Sequence, residues 1–236
     1  MTIHFGVLIP STNTTTETEY SRLPEGYQAH YARVRTSTPG RPFSPGRDEE
    51  VDYQSQLLAT AKVQMIALLQ TSASLFADDY DEVTMRRMSA AGGGVPSVTS
   101  ALALGRALRA LGARRIALVS PYSPEVNERA RRYYTGRHGL EIAALDGFAA
   151  TDSYAIGKLG PENAREAFAR IDRGQVDAFV VPGGNFATMG SIAGWEAEFG
   201  RPVVTSSQAL LWAVACQLGG EPVAGCGRLL EALPAG

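Results

Sequence analysis

The sequence predicts an α/β fold made of two similar halves, with parallel strands joined by crossover helices. Short apolar, β-branched runs alternate with amphipathic stretches along all 236 residues, which is the pattern of strand-helix-strand units. The composition, 44% hydrophobic and 19% charged, is sufficient for one sizeable core or two small ones. The third observation is an internal repeat, which indicates that half of the chain duplicates the other half.

The strand predictions rest on short β-branched or apolar runs that end at proline or small polar residues. The expected strands are Phe5–Pro10, Tyr31–Thr36, Met65–Thr71, Ser97–Thr99, Arg115–Pro121, Glu141–Asp146, Ala178–Pro182 and Val203–Thr205. The expected helices lie between them, and two begin with a proline at the first helical position. They are Asp48–Val63, Asp79–Ala91, Ser100–Leu111, Pro124–His138, Pro161–Arg173 and Ser207–Leu218.

The repeat appears as three pairs of similar segments that occur in the same order and at similar offsets. The pairs are Pro96–Leu108 with Pro202–Val214, Gly6–Glu17 with Ala117–Glu128, and Val63–Ser72 with Val176–Asn185. The first pair shares the pattern P-x-V-T-S, although any single pair is explained by the general likeness of α/β strands. The duplication predicts one half formed by residues 1–112 with the C-terminal segment 207–236, and a second half formed by residues 113–206.

Composition and charge exclude several classes of function. The formal net charge is −2 without a basic block, so no nucleic-acid partner is expected. Three His and two Cys without metal-ligand spacing predict that the chain holds no metal. The uncharged stretches 178–195 and 202–220 contain too many turn-forming and polar groups for membrane spans, and the N-terminus resembles a strand rather than a signal peptide, so a cytoplasmic location is expected.

The residues that follow the strands are the candidate ligand-binding residues, because ligands of open α/β sheets bind beyond the carboxyl ends of the strands. They are uncharged and rich in hydroxyls, amides and glycine: Ser11, Thr12, Asn13, Gln70, Thr71, Ser72, Tyr122, Ser123, Gly183, Gly184 and Asn185. Such groups are suited to holding a carboxylate and to stabilising an enediolate. The alternative role of Ser and Thr after strands is helix capping, which we assign to Thr14–Thr16 and Ser206.

One loop and the two cysteines lead to three further expectations. The loop Gly40–Gly46, with Arg41 and Arg47, is a candidate flap over the site. Cys216 falls on the apolar face of a helix and is expected in the core. Cys226 lies in a C-terminal segment that is able to fold back over the cleft, the one place where a reactive thiol is conceivable.

At the residues that follow the strands, the chain resembles the Asp/Glu racemase superfamily. Within it, the resemblance is to the branch of maleate cis-trans isomerase and arylmalonate decarboxylase. The resemblance covers nearly the full length and rests on five segments: Gly6–Glu19, Thr71–Ser74, Ala107–Arg129, Gly183–Asn185 and Gly200–Val214. It implies two pseudosymmetric flavodoxin-like halves around a central cleft. It also implies cofactor-free and metal-free chemistry on a small carboxylic acid, and it makes a homodimer plausible.

One departure from the family limits the reaction. Racemases and maleate isomerases of this kind use two cysteines, and the matching positions here are Gln70 and Gly183. The resemblance assigns a dioxyanion hole to Thr71, Ser72, Tyr122 and the amide of Gly184, all of which are present. Without the thiols, racemisation by two bases and thiolate addition to a double bond are excluded.

The sequence therefore predicts a lyase of the decarboxylase type that acts on a small carboxylic acid or diacid. The expected catalytic residues are Gln70, Thr71, Ser72 and Tyr122, and the expected substrate-binding residues are Ser11, Asn13, Gly183, Gly184 and Asn185. The alternatives are a maleate isomerase-like cis-trans isomerase, a hydrolase or hydratase in which Gln70 and Asn185 orient a water, and a non-catalytic carboxylate-binding protein.

Overall fold

The computed structural model describes residues 1–35 and 48–233 of the chain. Within these ranges two four-stranded parallel sheets carry helices on their faces, which confirms the predicted α/β class. The strands are β1 Ile3–Pro10, β2 Tyr27–Val34, β3 Met65–Leu68, β4 Ser97–Thr99, β5 Arg115–Ser120, β6 Glu141–Gly147, β7 Ala178–Val181 and β8 Val203–Thr205.

The helices fill the intervals between the strands. They are α1 Thr16–Tyr20, α2 Asp48–Thr60, α3 Tyr80–Ala91, α4 Ser100–Ala110, α5 Pro124–His138, α6 Ser153–Ile156, α7 Pro161–Arg170, α8 Ile192–Phe199, α9 Ser206–Leu218 and α10 Arg228–Glu231. Short 3₁₀ helices occur at Thr71–Leu75, Arg173–Gln175 and Met189–Ser191. The helices α1, α6, α8 and α10 were absent from the sequence prediction, because three of them have only four or five residues and α8 is too apolar to show a clear amphipathic pattern.

The second strand is the largest error among the predicted strands. The expected strand began at Tyr31, whereas β2 begins four residues earlier at Tyr27. This strand lies at the edge of its sheet and pairs with β1 alone, so most of its side chains are partly exposed. An edge strand of this kind carries polar residues such as Gln28 and His30, which hide the apolar alternation that predicts strands.

The two sheets have the same strand order, which agrees with the duplication seen in the sequence. The first sheet is ordered β2-β1-β3-β4 and the second β6-β5-β7-β8, with every neighbouring pair parallel. In each half the chain passes from a central strand to one edge and then returns to the other side. The carboxyl ends of all strands in a sheet consequently lie at one edge, where the loops that follow them meet.

The hydrophobic core is continuous between the sheets. Phe5 of β1 and Phe179 of β7 are fully buried members of the same apolar cluster. Helix α9 contacts α4 and also strands of both sheets, β4 and β8. The division of the chain after residues 112 and 206 therefore stays a prediction, since α9 packs on both halves.

The described residues test the remaining predictions only in part. The candidate flap at residues 40–46, with Arg41 and Arg47, lies outside the described residues. In the described ranges no helix combines the length and the apolar character that are needed to cross a bilayer. The cytoplasmic location and the homodimer stay predictions.

Candidate active site

The loops after β1, β3, β5 and β7 meet in a small cleft of about 40 Å³. Of the predicted site residues, Asn13, Gln70, Thr71, Ser72, Tyr122, Gly183, Gly184 and Asn185 line this cleft. Ser11 is not part of the lining and is exposed next to it. The rest of the described lining is Pro10, Thr12, Leu69, Ser153 and Ile156, and it includes no charged side chain.

Thr71, a residue of the cleft lining that is 2% exposed, belongs to a cluster of hydroxyl groups. Its Oγ1 lies 2.9 Å from Ser100 Oγ and 2.7 Å from Ser206 Oγ. Both serines are the first residues of helices, α4 and α9, and both are completely buried. Tyr122, which lines the same cleft, brings a fourth hydroxyl close to Thr71.

The number of hydroxyl protons in this cluster has a chemical consequence. The hydroxyls of Thr71, Ser100 and Ser206 carry three protons, and two hydrogen bonds join them. Each bond uses one proton, so one O–H of the cluster is left over for another acceptor. Ser206 Oγ also accepts the N–H of Gly183 at 2.8 Å, which helps to direct its own proton towards the cluster. The arrangement is suited to an anionic ligand atom at the centre of the cleft.

Ser100 was not among the predicted site residues, and the prediction that Ser206 is a helix cap is wrong. The cap of α9 is Thr205, whose hydroxyl accepts the N–H of Gln208 at 3.3 Å. The hydroxyl of Ser206 points to Thr71 instead, across 135 positions of sequence. The available signal was the repeated P-x-V-T-S pattern, because a serine at the same point in both halves predicts a pair related by symmetry.

Tyr122 is held in place by its own backbone. Its N–H donates to Ser120 Oγ at 3.1 Å, and its carbonyl accepts from the side-chain amide of Asn127 at 3.2 Å. Burial raises the pKa of the Tyr122 hydroxyl well above its usual range, and the nearby Thr71 hydroxyl opposes this only in part. The phenol is therefore protonated at neutral pH and acts as a hydrogen-bond donor.

Gly183 and Gly184 place backbone directly against the cleft. Gly183 has a φ of +102°, a conformation that favours glycine. A Cβ at this position would lie 3.5 Å from the Tyr122 hydroxyl oxygen and 3.2 Å from Pro121 Cγ. A side chain at residue 183 would thus approach the Tyr122 hydroxyl. A Cβ on Gly184 would lie 2.4 Å from Leu69 Cγ, so the two loops touch through this glycine.

The two cysteines lie elsewhere. Cys216 is exposed, which contradicts its predicted place in the core, because α9 leaves the interior after Ala215. Cys226 is half-buried and lines a different cavity, beside Glu19. Burial raises the pKa of the Cys226 thiol, and the negative charges of Glu231 and Glu19 raise it further, so the thiolate is disfavoured. The described lining of the cleft contains no thiol.

Two asparagines brace the walls of the cleft. The amide oxygen of Asn13 accepts the N–H groups of Thr15 and Thr16, and its nitrogen donates to the carbonyl of Gly184 at 3.0 Å. Asn185 accepts the N–H of Thr14 at 2.7 Å and donates to the carbonyl of Ser153 at 2.9 Å. These bonds tie the loop after β1 to the loop after β7. The substrate-binding role of both asparagines stays a prediction, since their amides are already engaged within the chain.

Metal-ligating groups are dispersed in the part of the chain that the structure describes. No group of three or more His, Cys, Asp or Glu side chains lies close enough there to hold a metal ion. The polar groups of the described cleft are hydroxyls, backbone N–H groups and the amide of Gln70. Gln70 is half-buried and directly precedes the 3₁₀ helix Thr71–Leu75.

Comparison with known proteins finds one enzyme family over most of the chain. The family model described as arylmalonate decarboxylase matches residues 46–230. The maleate isomerase of Pseudomonas putida is 29% identical, covering 96% of both proteins. The arylmalonate decarboxylase of Bordetella bronchiseptica is also 29% identical, over 78% of each.

A solved structure agrees with the fold. It is a mutant of the maleate cis-trans isomerase of Nocardia farcinica with a covalently bound succinylcysteine intermediate. It superposes with a TM-score of 0.84 at 26% identity and covers 98% of this chain and 99% of that one. The two-sheet architecture described above is therefore shared with an enzyme that has been observed with its cysteine covalently occupied.

Proposed function

The chain belongs to the arylmalonate decarboxylase family, and we propose that it is a cofactor-independent lyase that decarboxylates a small dicarboxylic acid in this cleft. The relatives that are maleate isomerases or an arylmalonate decarboxylase support a small diacid as the substrate class. The observation that carries the choice of reaction is an uncharged cleft that has Thr71 and Tyr122 hydroxyls but no thiol in its described lining, with Thr71 bonded to Ser100 and Ser206.

The retained carboxylate is held by hydrogen-bond donors alone in this proposal. The hydroxyls of Thr71, Ser72 and Tyr122 and the N–H of Gly184 form a dioxyanion hole. A volume of about 40 Å³ suits a carboxylate-sized group, so the rest of the substrate extends towards the mouth of the cleft. Oriented donors in a site of low polarity stabilise the enediolate more than the starting carboxylate, because negative charge concentrates on the oxygens as the reaction proceeds.

The leaving carboxylate faces the apolar part of the lining, formed by Leu69 and Ile156. A carboxylate that loses its water without gaining hydrogen bonds is destabilised, whereas neutral CO₂ is not. The carbon–carbon bond breaks, CO₂ departs, and the electron pair moves onto the retained carboxylate as an enediolate. Water then protonates the carbon, and the hydroxide that remains combines with CO₂ to give bicarbonate.

Water is the proton source in this scheme, and Gln70 orients it. Proton transfer from Tyr122 would leave a phenolate in a buried position, which the raised pKa of this hydroxyl disfavours. Gln70 is half-buried at the edge of the cleft, where its amide is able both to donate to and to accept from a water. Its position corresponds by resemblance to that of a family cysteine.

The alternatives have less support from the described residues. An isomerase that forms a succinylcysteine, as in the Nocardia farcinica enzyme, needs a thiol in the cleft, and neither Cys216 nor Cys226 lines it. A hydratase with Asn185 orienting the water is disfavoured because the amide of Asn185 is already bonded to Thr14 and Ser153. A carboxylate-binding protein would use the same donors without turnover.

Incubation with malonate, methylmalonate, phenylmalonate and maleate tests the proposal, with products followed by NMR in D₂O. We expect a monocarboxylate with one deuterium on the α-carbon, together with bicarbonate. The variant Tyr122→Phe is expected to lower kcat about 10²-fold, the usual effect of losing one oxyanion donor. Tyr154→Phe is the matched control, because Tyr154 is about half exposed and is not part of the cleft lining.

Three results would overturn the proposal. Fumarate formed from maleate would indicate an isomerase. Solvent ¹⁸O in the organic product would indicate hydration or hydrolysis. Binding of these acids in calorimetry, without turnover of any of them, would indicate a carboxylate-binding protein.

A further inference from the structure

Asp81, the second residue of α3, is a buried carboxylate outside the cleft lining. It is 1% exposed and accepts three hydroxyl hydrogen bonds. Ser74 Oγ and Thr99 Oγ1 donate to its Oδ1 at 2.6 and 2.5 Å, and the Tyr133 hydroxyl donates to its Oδ2 at 2.5 Å. We propose that Asp81 is a positioning residue, which fixes the hydroxyl cluster of the cleft from behind; this rests on the proposed function.

Each of the three donors belongs to a chain segment that also carries a residue of the cleft. Ser74 shares the 3₁₀ helix Thr71–Leu75 with Thr71 and Ser72. Thr99 directly precedes Ser100. Tyr133 lies on α5, the helix that begins two residues after Tyr122. One carboxylate therefore connects the segments that bear Thr71, Ser100 and Tyr122.

The bonds cross between the two sheets. Ser74 follows β3 and Thr99 ends β4, both strands of the first sheet, whereas α5 follows β5 of the second. Arg137 of α5 strengthens the same junction, with its Nε 3.8 Å from Asp81 Oδ2 and a salt bridge to Glu82. The separation of Tyr122 from Thr71 is thus set by contacts on the far side of the 3₁₀ helix.

The charge of the buried Asp81 carboxylate explains why the segments bonded to it are held rigidly. A buried carboxylate is costly unless hydrogen-bond donors surround it, so any movement that breaks one of these bonds is penalised. Hydrogen bonds to an ionised acceptor are also about twice as strong as neutral ones. Oxyanion donors need this kind of rigidity, because a misplacement of about 1 Å is enough to lower a rate about 10²-fold. Asp81 does not act as an acid or base in this proposal, since its oxygens are occupied and lie outside the cleft.

The test removes the Tyr133–Asp81 hydrogen bond, which crosses between the sheets, and keeps the aromatic ring of residue 133. Tyr133→Phe is compared with Tyr27→Phe, because the Tyr27 hydroxyl also donates at 2.5 Å, to the carbonyl of Glu221, away from the cleft. Both variants are expected to lower Tm by a few degrees. Tyr133→Phe is expected to lower kcat about tenfold with KM changed less than about twofold, whereas Tyr27→Phe leaves both unchanged.

A readout that needs no turnover separates this proposal from the proposed function. Three-bond couplings to the Thr71 methyl carbon measure its χ1 rotamer by NMR. One rotamer is expected in the parent protein and in Tyr27→Phe, and averaging between rotamers in Tyr133→Phe. A single Thr71 rotamer in Tyr133→Phe would overturn the positioning role of Asp81, whether or not any acid is decarboxylated. Equal kinetic effects of the two variants would also overturn it, and would indicate a merely structural contact.

Discussion

The two Thr-Ser pairs at the ends of β4 and β8 have the same local sequence but different partners. Thr205 caps α9, since its hydroxyl accepts the N–H of Gln208, while the Gln208 side chain accepts the N–H of Thr205. Thr99 occupies the same place before α4, but its hydroxyl donates to Asp81 and makes no cap. Ser100 and Ser206, by contrast, both reach Thr71. The repeated sequence gives both halves one backbone shape, and the surroundings decide what each hydroxyl does.

The buried carboxylates of the two halves, Asp81 and Glu196, also have different partners. Asp81 connects the segments of the cleft. Glu196 of α8, also buried, accepts the N–H of Val203 at 2.9 Å and the N–H of Arg228 at 2.8 Å. It thus attaches the C-terminal segment to β8. The buried carboxylate of the first half therefore connects segments near the cleft, whereas that of the second half holds the C-terminal segment.

The largest predicted difference between the halves concerns Ser206→Ala and Ser100→Ala. Ser206→Ala removes a partner of Thr71 and leaves the Gly183 N–H without its acceptor, whereas Ser100→Ala removes one partner only. We expect kcat/KM to fall about 10²-fold for Ser206→Ala and about tenfold for Ser100→Ala. Steady-state kinetics on a decarboxylated diacid measures both, and equal losses would mean that the two serines are equivalent.

A glycine distinguishes α4 from α9. A Cβ on Gly105 would lie 2.3 Å from the buried ring of His138, whereas the matching position of the repeat is Leu211, which is buried in the core. Gly105→Ala is expected to lower the free energy of unfolding by about 2.5 kcal/mol, because the overpacking cost exceeds the gain in helix propensity. Denaturation by urea measures the loss. The matched control is Gly136→Ala on α5, where a Cβ meets no atom within 4 Å, and a stabilised Gly105→Ala protein would disprove the overlap.

The threonines are expected to differ by less. Thr99→Val deprives the buried Asp81 of one hydroxyl donor, and we expect a loss of about 2 kcal/mol in the free energy of unfolding. Thr205→Val removes a helix cap, for which the expected loss is about 1 kcal/mol. Thermal unfolding of both variants at neutral pH compares them. A larger loss for Thr205→Val would show that the cap, rather than the carboxylate contact, is the stronger of the two.

The last expected effect is a dependence of the stability on acid. Burial, and to a smaller extent the charge of nearby Arg137, lower the pKa of His138 from 6.5 to about 4. Because the folded protein binds this proton more weakly than the unfolded chain, the stabilising contribution is complete above pH 6.5 and declines as the pH falls towards 4. Unfolding measured across this range is expected to show a steeper decline for the parent protein than for His138→Gln. Parallel profiles would mean that His138 does not titrate abnormally.

Much of the fold followed from local pattern. The buried strands β1, β3, β5 and β7 were recognisable as apolar runs that end at small or polar residues, and the strand ends identified most of the lining of the cleft. The edge strand β2 and the short helices were missed or shifted because partial exposure removes the periodicity on which such predictions depend. Cys216 was misplaced because an apolar helix face does not reveal where the helix leaves the core.

The sequence by itself determined the duplication, the uncharged strand ends and the absence of cysteine at residues 70 and 183. Only the tertiary structure decided that Thr71 joins Ser100 and Ser206, and that Asp81 joins Ser74, Thr99 and Tyr133. The physical reason is that a helix cap is a contact over three residues, which a local pattern encodes, whereas the Thr71–Ser206 and Asp81–Tyr133 bonds span 135 and 52 residues. Such bonds form only when packing of the two sheets brings distant segments within about 3 Å of each other.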